Sequence, residues 1–284
     1  SPLRIRAEIF YHAVPFTKIL FMANLSLGLL ALGWWVYSCV MQEGDKARNW
    51  RSRWRQIWVG AVWMACLFHW TSYLLRWYIG GRIPLGNGHE TMLFLAGFML
   101  LCTCIWQRRF SFLLPAGLLL SGFTLLVAYL SEMNPQITPL MPVLLSPWLS
   151  LHVSLIMVSY ALFALMCLCS ILALGIRRHA WQRQRLTLFC RVLLYPAVLC
   201  LGIGIFIGAV WANVSWGSYW AWDPKEVWAL ITFMLYGMAF HVQSIPRFRN
   251  PYFFHWFLIV SFSAILMTYF GVNYVLGGMH SYAG

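Results

Sequence analysis

The sequence predicts an all-α polytopic membrane protein with about eight transmembrane helices and both termini on the outer side. Of the 284 residues, 61% are hydrophobic and 10% are charged, which excludes a water-soluble core covered by an ordinary polar surface. The apolar runs also exceed the ~10 residues of a membrane β-strand and lack its alternation. α-Helices are the remaining structure that can span the membrane, because every backbone polar group must be hydrogen-bonded inside the hydrocarbon.

Eight apolar runs are long enough to cross ~30 Å of hydrocarbon as helices. Residues 1–17 precede them as an outer approach segment. No linker rich in Ser, Gly or Pro divides residues 18–284, so the sequence predicts a single membrane domain there. In chain order, the predicted spans are residues 18–40, 57–80, 91–106, 111–131, 150–175, 190–210, 225–243 and 253–276.

The basic residues orient these helices. The net charge is +13, and fourteen of the 20 Lys and Arg residues fall in the first, third, fifth and seventh connectors between spans. By the positive-inside bias these connectors face the cytoplasm, which places the even-numbered connectors and both termini outside. Because the charge follows the predicted membrane topology, nucleic acid is not an expected partner, whereas the lipid bilayer is.

The outer connector that leads into the seventh predicted span is rich in tryptophan. The general enrichment of Trp at membrane interfaces explains Trp211 as well as a functional role does. Trp216 and Trp220 are spaced to share one helical face, and Gly217 leaves that face open to close approach. Together with Trp222, this face offers a surface on which a flat apolar ligand can lie.

Asp223 has a structural and a catalytic interpretation. Asp223 at the N-cap, Pro224 at the first helical position and Glu226 three residues on form the pattern of a capping box that starts the seventh span. The alternative is an acid or base beside the aromatic residues. Both roles are compatible, so Asp223 is also retained as a candidate catalytic residue.

Two histidines are predicted at the depth of the tryptophan-rich connector. His152 starts the fifth span and His280 follows the eighth. Two imidazoles beside a flat apolar surface are what a haem site needs, because the iron accepts axial nitrogen ligands. Outer histidines are also common without such a role, and His12 and His89 are predicted on the same side.

The other histidines fall elsewhere. His241 is predicted inside the seventh span and His69 near the middle of the second. An ionisable group at that depth is a functional candidate, and the alternative is a neutral imidazole bonded between helices, which is favoured for His69. His179 and His255 are expected to be solvated or interfacial.

Several blocks of the chain together resemble a known family. They resemble the tryptophan-rich WWD signature of haem-handling proteins and, in family order over most of the chain, the CcsA (ResC) family of the system II cytochrome c synthase. In the connector 81–90, Arg82, Gly86 and His89 depart from the family pattern, and the resemblance assigns no ligand to that connector. The matching blocks are "RWYIGGRIPLGNGHE", "SPWLSLHVSLIMVSYA", "WGSYWAWDPKEVWALITFMLYGMAFH" and "GVNYVLGGMHSYA".

The resemblance implies a holocytochrome c synthase of the bacterial cytoplasmic (inner) membrane with its active site on the periplasmic side. It would move haem b outward and present it for thioether attachment to C-x-x-C-H of apocytochrome c. By motif position, His152 and His280 would hold the haem iron next to the WWD connector 211–226, and His241 matches the family's transmembrane histidine. The expected partner is a CcsB (ResB) protein, separate or fused upstream, since the opening "RAEIFYHAVPFTKILF" resembles such a junction.

These residues combine into a mechanistic hypothesis with two alternatives. Haem waits near His241 and then lies on the Trp216, Trp220 and Trp222 rings. The candidate donors to its propionates are Lys225, Arg76 and Arg82, and snorkelling at the interface is the alternative role of each cation. One rival function is a haem carrier or exporter that delivers haem to a separate chaperone. The other is a b-type haem electron-transfer subunit.

Overall fold

The computed structural model describes residues 2–40, 45–130, 135–137, 142–175, 180–242 and 244–276, and the regular elements within these ranges are all helical. A π-helical stretch, Met267–Leu276, continues the last α-helix, and short 3-10 turns occupy Pro142–Leu145 and Pro246–Arg249. The α-helices in this part of the chain are α1 (Pro2–Ala13), α2 (Phe16–Val40), α3 (Asp45–Gly80), α4 (Gly88–Trp106), α5 (Leu113–Leu130), α6 (Pro147–Gly175), α7 (Ala180–Trp216), α8 (Pro224–Met238) and α9 (Pro251–Leu266).

The prediction of an all-α polytopic membrane protein is confirmed. Within the described residues, seven helical segments are long and apolar enough to cross a membrane. Each of them overlaps one predicted span. They are Phe16–Ser38, Ser52–Gly80, Gly88–Trp106, Leu113–Leu130, Pro147–Gly175, Trp181–Trp216 and Pro251–Asn273.

The predicted seventh span, residues 225–243, is wrong in its length. Helix α8 has 15 residues and ends at Met238, so at ~1.5 Å per residue it falls short of ~30 Å of hydrocarbon. The chain then turns, with the His241 N–H donating to the Met238 carbonyl at 3.1 Å. The Ala239 and Phe240 N–H groups likewise donate three residues back, to the Tyr236 and Gly237 carbonyls at 3.1 and 3.2 Å, so the α-helical ladder ends in tighter turns.

The chain divides into two compact units, Ser1–Pro139 and Leu140–Gly284. The first contains α1 to α5 and the second α6 to α9. The prediction of one membrane domain over residues 18–284 stays a prediction.

In the first unit, α5 packs closely against α2. A Cβ at Gly28 would lie 2.9 Å from the Leu119 side chain, and one at Gly122 would lie 2.8 Å from the Leu25 backbone nitrogen. These two glycines therefore allow the helices to approach, as small residues do in membrane helix pairs. A buried hydrogen bond from the Asn24 amide to the Ser121 hydroxyl, 3.0 Å long, joins the same pair.

A buried ion-pair network fixes the connector between α3 and α4. The Glu90 carboxylate accepts from Arg76 Nε at 3.0 Å and from Arg82 Nη1 at 2.7 Å. Arg76 also donates to the carbonyls of Pro135 and Gln136, at 2.6 and 3.0 Å. One side chain therefore ties the start of α4 to the segment that follows α5.

In the second unit, α6 and α7 pack along much of their length, and His255 of α9 reaches both. The expectation of a solvated or interfacial His255 is wrong, because its side chain is fully buried. The Thr187 hydroxyl donates to the Arg183 carbonyl, so His255 Nε2 donates to Thr187 at 2.9 Å. His255 Nδ1 then accepts from the Ser170 hydroxyl at 2.9 Å. The ring links three helices, and this pairing is why it is buried.

Candidate functional site

The connector between α7 and α8 begins at a glycine that ends the helix. Gly217 has φ 78°, the left-handed conformation that glycine adopts at helix ends without steric cost. Trp220 therefore lies outside α7, and the prediction that Trp216 and Trp220 share one helical face is wrong. Trp222 has φ 57°, which is strained for a residue with a side chain.

Asp223 and Glu226 form the predicted capping box, which is confirmed. The Asp223 carboxylate accepts from the Lys225 N–H at 3.0 Å, and the Glu226 carboxylate accepts from the Asp223 N–H at 3.2 Å. Glu226 also accepts from the Ala221 N–H at 2.9 Å. The box fixes both the start of α8 and the two residues before it. The candidate catalytic role of Asp223 stays a prediction.

His152 lies in the second turn of α6 against the backbone of α7. Its Nδ1 is 2.7 Å from the Gly204 carbonyl oxygen. Because a carbonyl only accepts, Nδ1 carries the proton, and a neutral ring then has its lone pair on Nε2. This is the tautomer that binds a metal through Nε2, held in orientation by the backbone carbonyl.

A glycine makes this placement of His152 sterically possible. A Cβ at Gly208 would lie 2.5 Å from His152 Nδ1 and 2.6 Å from its Cε1. Any larger residue at position 208 must displace the imidazole. The sequence of α7 therefore controls the position of a side chain on α6.

A cavity of about 100 Å³ brings three predicted site residues together. They are His152, Trp220 and Lys225, which come from α6, the connector and the first turn of α8. The other residues that line this cavity, which we call the His152 cavity, are Ile156, Tyr160, Ile205, Gly208, Ala209, Trp211, Tyr219, Glu226, Ala229 and Thr268.

Lys225 places a cation at the His152 cavity. Burial lowers the pKa of its ammonium to about 8, against the opposing attraction of the Asp223 carboxylate. Lys225 is therefore largely charged at pH 7, although it is only partly accessible to water. An anionic group next to it would favour the charged form further.

The tryptophans form edge-to-face contacts. Trp211 and Trp216 have ring centroids 4.8 Å apart at 68°, and Trp220 and Trp222 are 6.0 Å apart at 88°. Trp220 lines the His152 cavity, whereas Trp216 and Trp222 do not. Trp222 is 73% exposed. The predicted aromatic surface is thus divided between a cavity wall and an outer rim.

The remaining predicted site residues lie elsewhere. Arg76 is buried in the first unit, where its guanidinium bonds to Glu90 and two carbonyls. His241 is exposed in the turn after α8. His280 and His179 lie outside the described residues. The roles assigned to Arg76, His241 and His280 stay predictions.

His69 has the structural contacts expected of a packed histidine. It is buried, and its Nε2 is 2.9 Å from the Leu93 carbonyl oxygen. A Cβ at Gly97 would lie 2.7 Å from the ring. The ring therefore fills the contact between α3 and α4, which agrees with the favoured interpretation.

Sequence reasoning missed two polar residues that line the His152 cavity. Tyr160 follows His152 by two helical turns, and Ile156 lies between them. This i, i+4, i+8 spacing on one helical face was a signal for Tyr160. Thr268 comes from the π-helical stretch, and no local pattern in the sequence marks it.

The fold and this cavity define a class: a multi-pass helical membrane protein with an imidazole, aromatic rings and a cation around one cavity. Residues 85–280 match the sequence model of the cytochrome C assembly protein family. Protein NrfI of Wolinella succinogenes is 39% identical over 229 residues, which are 78% of this chain and 25% of that protein.

Several proteins named cytochrome c biogenesis protein CcsA are also similar to this chain in sequence. The one from Chlamydomonas reinhardtii is 35% identical and covers 74% of this chain and 63% of its own length. The one from Guillardia theta is 31% identical, with 78% of this chain and 84% of its own length covered. The chain therefore belongs to the cytochrome c assembly protein family, and within it to the CcsA type. It spans only a quarter of the Wolinella protein and under two thirds of the Chlamydomonas protein.

Proposed function

We propose that this chain is the haem-handling subunit of a cytochrome c synthase in the bacterial inner membrane. It binds haem b at the His152 cavity, on the periplasmic side, and presents it to the C-x-x-C-H segment of apocytochrome c. The observation that carries this proposal is the placement of His152, Trp220 and Lys225 around one cavity. The names of its relatives, which refer to cytochrome c biogenesis, support the same role.

We assign a distinct task to each proposed site residue, both those that line the cavity and those around it. His152 binds the iron through Nε2, because Nδ1 is held by the Gly204 carbonyl. Trp220 packs on the macrocycle, and Lys225 bonds to a propionate. His280 is the proposed second axial ligand. Trp216 and Trp222 cover the exposed edge, and Asp223 holds the connector in place through its cap.

Haem requires the connector to move. A cavity of about 100 Å³ is smaller than the roughly 300–1,000 Å³ of typical cofactor sites. Residues 217–222 lie between a glycine hinge and the capped start of α8, and Tyr219, which lines the cavity, is 59% exposed. Outward movement of these residues enlarges the cavity and leaves α6 and α7 in place.

The chemistry at the vinyl groups needs little from the protein beyond position. The S–H of each apocytochrome cysteine adds across a vinyl C=C, so sulfur bonds to one carbon and hydrogen to the other. No group leaves and no oxidant is consumed. Holding thiol and vinyl together supplies up to about 7–11 kcal/mol of the barrier when alignment is good. The chain contributes by fixing haem, and the Asp223 carboxylate is the candidate for moving the thiol proton.

Haem reaches this site past His241, which we propose as a ligand during transit with a CcsB-like partner. The exposed position of His241 after α8 makes its ring accessible to a partner protein. Exogenous imidazole is expected to restore covalent haem attachment to a His241→Gly variant. Failure of this rescue would favour a packing role.

The test of the proposed function measures covalent haem directly. The chain is co-expressed with a CcsB-like partner and an apocytochrome c, and denatured gels are stained for haem on the cytochrome. His152→Ala is expected to reduce the stain by at least roughly 10- to 100-fold, because replacing even a residue that only orients a metal ligand costs that much. The matched control is Ile171→Ala, about five turns further along α6, 51% exposed and not among the residues that line the cavity.

The outcomes separate the candidate functions. Unchanged staining in His152→Ala contradicts the proposed site. Haem bound to the purified wild-type chain without covalent attachment to any apocytochrome favours a haem carrier. Turnover of haem-loaded protein with a quinol, again without attachment, favours an electron-transfer subunit.

A further inference from the structure

A second and larger cavity lies in the first unit. Its volume is about 560 Å³, within the roughly 300–1,000 Å³ of sites that hold cofactors. No predicted site residue lines it, and none of the resembling motifs places a ligand there. We call it the His89 cavity. The residues that line it are Tyr11, His12, Val14, Pro15, Phe16, Thr17, Lys18, His89, Ala128, Tyr129, Pro135 and Gln136.

His89 is the observation that points to a ligand. Its side chain is only 3% exposed, it lines the cavity, and its buried Nδ1 has no hydrogen-bond partner within the described part of the chain. A buried polar atom without a partner is uncommon in folded proteins. The ring therefore has bonding capacity that the described part of the chain does not use.

The backbone around His89 is fixed by its neighbours. The Asn87 side chain accepts from the Glu90 N–H at 2.9 Å, and the Glu90 carboxylate pairs with Arg76 and Arg82. Arg76 in turn holds the carbonyls of Pro135 and Gln136, two other lining residues. The wall of the cavity is thus organised before any ligand arrives, which lowers the cost of binding.

The lining also carries a second imidazole, a cation and aromatic rings. His12 meets Tyr11 edge-on with centroids 5.8 Å apart, and Tyr11 stacks on Phe16 at 5.4 Å and 25°. Lys18 follows in the first turn of α2. Among the described residues that line this cavity there is no Asp, Glu or Cys, so they do not offer the three or four protein ligands that a bare zinc ion takes.

These features fit one ligand class. A metalloporphyrin already supplies four nitrogens to its iron, so two imidazoles complete the coordination. The aromatic rings suit the macrocycle, and the Lys18 ammonium suits a propionate. We propose that the His89 cavity is a second haem site, with His89 and His12 as axial ligands. This inference rests on the proposed function, since it supposes that haem reaches the chain.

The test is a haem titration of the purified chain in detergent, followed by absorption spectroscopy. In the His152→Ala background, the chain is expected to retain one haem with a low-spin spectrum typical of two imidazole ligands. Adding His12→Ala and His89→Gln is expected to weaken that binding by at least roughly 10- to 100-fold, the loss seen when only a residue that orients a metal ligand is replaced. Ala128→Trp occupies part of the cavity and leaves both histidines in the sequence, and it is expected to weaken binding of both haem and metal-free protoporphyrin.

The outcomes distinguish this site from the first. If His152→Ala alone abolishes all haem binding, or if the His12→Ala/His89→Gln and Ala128→Trp variants bind haem as the wild type does, the second site is refuted and the His152 cavity stands. If haem binds through His89 but no cytochrome is matured, the second site is supported and the proposed function fails. Wild-type protein that binds no haem overturns both.

Discussion

Gly208 offers the sharpest perturbation of the His152 cavity, because it changes α7 and leaves every proposed ligand intact. In Gly208→Ala, the new Cβ would meet His152 Nδ1 at 2.5 Å, well inside normal contact. The imidazole must move away and give up its hydrogen bond to the Gly204 carbonyl. That carbonyl is the group that orients the ring.

The expected magnitudes separate stability from binding. Loss of a neutral hydrogen bond lowers the free energy of unfolding by about 0.5–1.5 kcal/mol. Replacing a helical glycine by alanine raises it by about 0.8–1 kcal/mol. The free energy of unfolding is therefore expected to change by less than about 1 kcal/mol. Haem affinity is expected to fall roughly 10- to 100-fold, since the group that orients a metal ligand is lost.

Haem titration and thermal unfolding of the same detergent-solubilised variants check this prediction. Gly60→Ala is the control, because a Cβ at Gly60 meets nothing within 4 Å, and it should bind haem normally with slightly higher stability. Normal haem affinity in Gly208→Ala would refute the argument that ring orientation controls binding. A large loss of stability would show that packing between α6 and α7, and not His152, dominates the effect.

The remaining predictions concern the cap, the cation and the ion-pair network. Asp223→Ala is expected to cost about 0.5–2 kcal/mol of stability through loss of the N-cap, measured by thermal unfolding; Asp223→Asn keeps the cap, so a loss of covalent attachment in that variant would support a role in proton transfer. Haem affinity is expected to fall as pH rises through about 8, where Lys225 loses its charge, and a titration series across pH 7–9 checks this; the dependence should vanish in Lys225→Arg. Arg76→Ala should lower the free energy of unfolding by about 3–5 kcal/mol, since it breaks a buried pair with Glu90; a smaller loss would show that Arg82 alone satisfies the carboxylate.

Local patterns in the sequence predicted those parts of the structure that depend on local physics. Hydrophobic length predicted the spans, and the spacing of Asp223, Pro224 and Glu226 predicted a cap that forms as expected. The residues His152, Trp220 and Lys225, singled out from separate segments, line one cavity. Each of these signals lies within a few turns of chain.

Contacts between distant parts of the chain, and one helix end, explain why two predictions from the sequence were wrong. His255 was expected to be solvated or interfacial because it lies at the inner end of the eighth predicted span, yet hydroxyls from α6 and α7 bond to both of its ring nitrogens. Those partners are 85 and 68 residues away in the sequence, so no local pattern reveals them. The shared face of Trp216 and Trp220 failed for a different reason, since Gly217 ends the helix in the left-handed conformation.

The central claim is that His152 holds haem iron beside the tryptophan-rich connector. The most direct measurement is an experimental structure of the haem-loaded chain with its partner protein. We expect iron bonded to His152 Nε2, Trp220 packed against the macrocycle and Lys225 beside a propionate. A haem-loaded structure in which no haem contacts His152, while the Nδ1 bond to Gly204 remains, would contradict it.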